Sequence, residues 1–178
     1  MAMPLLTTNP DSTDVATVSF TSSIDSTYKL YIFKFYDINP ATDAAHFGFQ
    51  GNASDSTGYD ETITSTYFFN SHDEGDSAVD LDYHATHDLA LATTFQPLAH
   101  NVGNGADESC AGTLWLFNPS NTTYMKHFYS RFNTYFNSNY AFQTLMGGYF
   151  NTTTAIDDIQ FKFSSGNMDG VIKMYGVG

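Results

Sequence analysis

The chain has 178 residues, of which 14% are charged and 16% aromatic, and its net charge is −13. That acidity repels phosphate and argues against nucleic acid and anionic membranes as partners. A lone cysteine, Cys110, excludes an internal disulfide, so stability must come from a core that a chain of this length builds without staples.

In chain order, residues 1–14 are rich in Pro, Thr and Asp and read as an N-terminal arm. Residues 15–178 read as one domain. Val15 to Phe20 is a first strand. Tyr28 to Tyr36 is a run of β-formers with aromatics on both faces, as in a central strand. Asn39-Pro40 ends it, because Pro40 cannot donate to a ladder. Ala45 to Gln50 alternates, with Phe47 and Phe49 on one face.

Gly51 to Asp60 reads as a polar loop, Thr62 to Phe69 as a strand and Ser71 to Asp82 as an acidic loop. Asp88 to Leu98 is the one segment where a short helix could sit, although Thr93-Thr94 and Pro97 argue against a long one. Gly112 to Phe117, Tyr124 to Phe132 and Ala141 to Met146 are further strands, the last two joined by an Asn/Ser/Tyr loop. Ala155 to Phe163 and Val171 to Tyr175 flank the turn-forming Ser164–Gly170, which suggests a terminal β-hairpin. Eight or nine short strands and no break in composition indicate an all-β, single-domain β-sandwich of jelly-roll type.

Ligand chemistry concentrates in Asp80, Asp82, His84, His87 and Asp88, where imidazole and carboxylate together suit zinc and its neighbours. The spacing matches no metal motif, and the segment reads as a solvated acidic loop carrying incidental histidines. Asp73, Glu74, Asp76 and Asp80 lack the alternation of an EF-hand loop. The expectation is no metal and no cofactor.

Nucleophilic catalysis lacks a Gly-x-Ser-x-Gly elbow or a base beside a nucleophile, and Asp157-Asp158 sit on opposite faces of one strand. Cys110 reads as a buried small hydrophobe, with Asp107 and Glu108 raising its pKa. No catalytic residue is expected, and no enzyme. Twelve aromatics lie between Trp115 and Phe150. Of these, Tyr135, Phe136 and Tyr140 fall among asparagines and are the candidate interface or glycan contacts.

Three blocks carry a family likeness: Tyr28–Phe35 with Asp37–Asp43, Asn101–Asn104 with Gly112–Ser120, and Ser164-Ser165-Gly166-Asn167 followed by Tyr175-Gly176-Val177. With Gly147-Gly148-Tyr149 and Thr152–Ala155 they run in order from about residue 28 to the end, leaving residues 52–95 unmatched. The chain thereby resembles a family of small, mostly uncharacterised virion structural proteins of tailed bacteriophages.

That resemblance implies a non-enzymatic virion component and a β-sandwich, and says little about which component. The lack of a heptad stalk and the compact length favour a capsid-decoration (cement) protein, acting as a homo-oligomer such as a trimer on capsid subunits. Tail-fibre or receptor-binding placement, or a carbohydrate-binding module that contacts host glycans, is the alternative. Lacking an N-terminal charged-then-apolar segment and any bilayer-length apolar run, the chain is expected to be made in the host cytoplasm and to end in the virion. Charged residues at 14%, against about 25% in ordinary domains, suit a surface that packs on other subunits.

Overall fold

A computed structural model describes residues 3–9 and 12–178. The described residues form thirteen strands, every named pair antiparallel. They are β1 (Leu5–Thr8), β2 (Ser12–Val15), β3 (Val18–Phe20), β4 (Leu30–Pro40), β5 (Ala45–Ala53), β6 (Ile63–Asp73) and β7 (Val79–Tyr83). The rest are β8 (Gln96–Val102), β9 (Cys110–Phe117), β10 (Lys126–Phe136), β11 (Tyr140–Phe150), β12 (Ile156–Phe163) and β13 (Met168–Val177).

One layer runs β13-β4-β9-β10-β11-β6-β7, with β1 and β2 both laid along the free side of β13. The other runs β8-β5-β12-β3. A single residue pair, Phe136 with Val102, joins them, so one curled sheet folds over on itself as a sandwich. The all-β sandwich is as the alternation requires. The jelly-roll order of strands is a finer statement than this pairing carries.

Facing phenylalanines fill the space between the layers. Phe35 on β4 lies 4.9 Å from Phe132 on β10, 5.0 Å from Phe161 on β12 and 5.5 Å from Phe47 on β5. Phe49 meets Phe128 edge-on at 5.0 Å, and Phe20 closes the β3 end against Phe33 and Phe161. Edge-to-face contacts of this kind add to the gain from burial alone. Gly112 permits the close stacking, since a Cβ there would lie 2.5 Å from the Phe132 ring.

Several expectations need correction. The last two strands do not form a hairpin: β12 pairs with β5 and β3, β13 with β4, β1 and β2. The chain crosses between layers at Ser164–Asn167, and this crossing runs beside the Ala41–Ala44 crossing from β4 to β5. Ala41 N donates to Asn167 O (2.8 Å), and Ser164 N to His46 O (2.8 Å). Alternation reports which face is buried, and it is silent on the partner strand.

Strand β4 continues through Asn39-Pro40, because Asp37 takes φ 52° and Gly170 φ 120° in a bulge that keeps β13 alongside. Likewise β5 runs on to Ala53, shortening the polar loop. No helix forms over Asp88–Leu98: residues 84–95 are irregular and β8 starts at Gln96. The buried Gln50 side chain donates to the carbonyls of Glu61, Thr93 and Thr94, replacing the intrahelical bonds a helix would make. Residues 5–8 and 12–14 of the segment read as an arm belong to β1 and β2, which lie along β13, while residues 1, 2, 10 and 11 of it fall outside the described residues.

The expected acidic loop is a hairpin. β7 pairs with β6 from Val79 to Tyr83, and Asp73 closes the turn by accepting from Ser77 N (2.8 Å), the Ser77 hydroxyl (2.6 Å) and Ala78 N (2.6 Å). The Ser77 hydroxyl, then the Ala78 amide, hold the Asp73 carboxyl at about 2, below the usual carboxylate range. Asp73→Ala should speed amide exchange across Val79–Tyr83 while leaving the exchange of β4 and β9 amides unchanged. Equal exchange at Val79–Tyr83 in both proteins would show that the strand pairing alone holds the turn.

Candidate functional site

Two features stand out: the outer face of the β9-β10-β11-β6-β7 meander, and a histidine cluster where the layers join. Paired residues of antiparallel strands share a face, so the register defines each row. Arg131, Leu145, Phe68 and Tyr83 form one row, and Asn133, Gln143, Asn70 and Leu81 the next. Val79 follows opposite His72, and Trp115 opposite Tyr129. The Trp115 and Tyr129 rings stack at 4.5 Å, and Phe68 meets Tyr83 edge-on at 5.0 Å. Val79 and Leu81 are each 77% exposed, and Tyr129, Leu145 and Phe68 each 45%. Isolated exposed apolar residues are ordinary, but this run spans five strands.

The residues singled out from sequence do not form a single platform. Tyr135, Phe136 and Tyr140 lie at the tip of the β10–β11 hairpin, in strands joined by a three-residue turn, where a longer loop was expected. Phe136 and Tyr140 share the inner face, 5.9 Å apart, and Phe136 stacks on Phe142. Tyr135 points to the outer face, where its hydroxyl bonds Asn139 Oδ1. A shallow pocket at the tip is lined by Tyr135, Tyr140, His72, Glu74 and Asn133.

The Asp/His group separates on folding. Asp80 and Asp82 stand on the underside of β7, each accepting from the next residue's backbone N–H. Asp88 receives the Tyr83 hydroxyl. Asp76 contacts His72 at 3.1 Å, far from the other histidines in the sheet register. His84 and His87 instead meet two histidines from other elements, His46 on β5 and His100 on β8. Ring centroids are 4.2 Å for His84–His87, 4.3 Å for His87–His100, 4.8 Å for both His46–His87 and His46–His100, and 4.9 Å for His84–His100. His46 and His100 gave no sequence signal, since 54 residues separate them and neither belongs to a motif. Only the β5–β8 pairing brings them together.

Buried polar groups hold the irregular segment in place. Gln96 Nε2 donates to the His87 carbonyl (3.0 Å), and its Oε1 accepts from the Ser65 hydroxyl, which in turn accepts from Leu89 N (2.9 Å). His84 N donates to Tyr67 O (2.8 Å), and His87 N to His84 O (3.0 Å). Gln96→Leu strands the Ser65 hydroxyl and the His87 carbonyl, an expected cost of about 2 kcal/mol. The urea midpoint measures that cost, and amide signals of residues 84–95 should broaden. An unchanged midpoint would mean the segment is held by packing.

Burial shapes the electrostatics of the cluster. It lowers the His100 pKa to about 3 and the His87 pKa to about 4, and it lowers that of His46, with the neighbouring imidazoles adding to each shift. His46 Nδ1 accepts from Asn101 N (3.2 Å), while His100 Nδ1 is buried without a hydrogen-bond partner. His84 and His87 bring their Nδ1 atoms to 3.1 Å, and the Thr86 hydroxyl sits 2.9 and 3.0 Å from them. Cys110 is buried in the core, and burial, not its acidic neighbours, pushes its thiol up.

A scan against protein-family models finds no match, and neither does a comparison with curated proteins.

Proposed function

We propose that this chain is a non-enzymatic bacteriophage virion protein that works by packing on neighbouring subunits, as a capsid-decoration protein of the head. The exposed face of the β9-β10-β11-β6-β7 meander carries this reading. It combines Trp115, Tyr129, Phe68 and Tyr83 with Arg131, the residue types enriched at the centre of protein interfaces. Strand β7 ends this layer with its outer backbone groups unpaired by any other strand among the described residues. Natural proteins normally protect such an edge, and a second copy of the chain is the occupant proposed here, most simply in a trimer. The low share of charged residues, 14%, and the likeness to phage virion proteins support the same conclusion.

Mass measurement of the native assembly tests the packing step. Phe68→Asp together with Leu145→Asp should convert an oligomer to monomer while leaving the fold intact. A wild-type chain that is monomeric at high concentration would sink the homo-oligomer reading. Copy number in purified virions tests the placement: several hundred per particle supports the head, and a handful supports the tail.

The tip pocket favours the second reading, contact with host glycans. Tyr135 and Tyr140 line it from opposite faces of the hairpin together with Glu74 and Asn133, and rings beside hydrogen-bonding groups suit sugars. A glycan-array hit lost in both Tyr135→Ala and Tyr140→Ala would favour receptor binding over decoration.

A further inference from the structure

We propose that His46, His87 and His100 bind one divalent transition-metal ion of the zinc, nickel or copper type, which clips the irregular 84–95 segment onto the β5–β8 pair.

Geometry supplies the first argument. One ligand nitrogen from each of the three residues lies within 4.8 Å of the others. Tetrahedral ligation at about 2.0–2.1 Å would set neighbouring nitrogens about 3.3 Å apart, so small side-chain rotations suffice. Their backbones come from three separate elements, and all three are already anchored: β5 and β8 by sheet pairing, the His87 carbonyl by Gln96. Little ordering remains to be done when the ion arrives.

The donors also fit. His100 Nδ1 is a buried nitrogen with no partner, a group that normally has one. His87 already engages Thr86 and His84 through Nδ1, which leaves its Nε2 for an ion and orients the ring as supporting contacts of metal sites do. The burial that holds the His87 and His100 rings neutral removes proton competition at pH 7. At His46, Nδ1 accepts the Asn101 N–H, so ligation costs that hydrogen bond. An all-imidazole set suits zinc, copper and nickel, while calcium and magnesium need oxygen ligands. The carboxylates Asp80, Asp82 and Asp88 are directed to backbone or tyrosine donors.

The full chain, stripped with chelator, is titrated with Co²⁺ and separately with Zn²⁺. Co²⁺ should bind one per chain and give the visible absorption of a low-coordinate imidazole site. Zn²⁺ at a hundred times its Kd should raise Tm by about 5–10 °C. His87→Gln and His100→Gln should each abolish both signals, while His72→Gln combined with His127→Gln, removing the histidines outside the cluster, should keep them. Should a cluster variant unfold, Zn²⁺-induced ¹H–¹⁵N shifts in the unmutated chain, centred on residues 46, 84–87 and 100, give the same answer. No visible band with no Tm shift overturns the proposal. So do signals that survive in the cluster variants, or vanish with His72 and His127. None of these outcomes depends on whether the meander face forms oligomers.

Discussion

Replacing Phe161 by alanine will lower stability by about 3–5 kcal/mol, among the largest effects of any single substitution in this protein. The side chain is fully buried on β12, and its ring lies between 5.0 and 6.5 Å from Phe20, Phe33, Phe35, Phe47 and Phe49. Those five rings come from β3, β4 and β5, so Phe161 couples the two layers as well as filling space. Neighbouring strands cannot collapse onto the void without giving up sheet pairing, which puts the cost at the upper end for such truncations. Tm should fall by about 6–20 °C. Phe161→Leu, which retains most of the volume, should cost less than half as much. A Phe161→Ala protein within about 1 kcal/mol of the wild type by urea unfolding would show that the layers are coupled elsewhere.

Acid should destabilise the protein through the histidine cluster. His87 and His100 have folded-state pKa values of about 4 and 3, below the unfolded value of about 6.5, and that of His46 is also lowered. The unfolded chain therefore binds more protons in this range, and stability is greatest above pH 6.5 and declines as pH falls toward 4. The titratable groups in ring contact with them are the other imidazoles, including His84, and Tyr67, 5.5 Å from His87, while Phe136 and Phe142 pack on His100. No pairing with a carboxylate offsets the charge, since Asp88 is engaged by Tyr83. The rings are only partly buried, and screening reduces the effect to on the order of 2–4 kcal/mol in total. Urea midpoints between pH 8 and 4, measured with chelator present, read this loss. His100→Gln should flatten the profile and His72→Gln should not. A midpoint unchanged down to pH 5 would show that the rings are solvated enough to take up protons in the folded state.

Individual elements show why some of this was legible in the sequence. Phe47/Phe49 and Ile159/Phe161/Phe163 announce buried faces because side chains alternate strictly across a strand, whatever its partner. Val79-Asp80-Leu81-Asp82-Tyr83 alternates in the same way. Its acidic content suggested a loop, whereas the carboxylates occupy the underside of β7 and the apolar residues its outer face. Within the candidate site, His84 and His87 were visible, but the carboxylates weighed beside them, Asp82 and Asp88, take the Tyr83 N–H and the Tyr83 hydroxyl instead. Nearness in sequence is a poor guide where an alternating strand sends neighbours to opposite sides.

The chain's own order of residues determined the all-β class, the single aromatic core and the burial of Cys110, since each follows from local periodicity and composition. Only the folded arrangement decided that the final two strands lie in different layers and that His46 and His100 join His84 and His87. Strand pairing is chosen by long-range packing, whose free energy depends on all the facing side chains at once, and no short window of sequence contains that information.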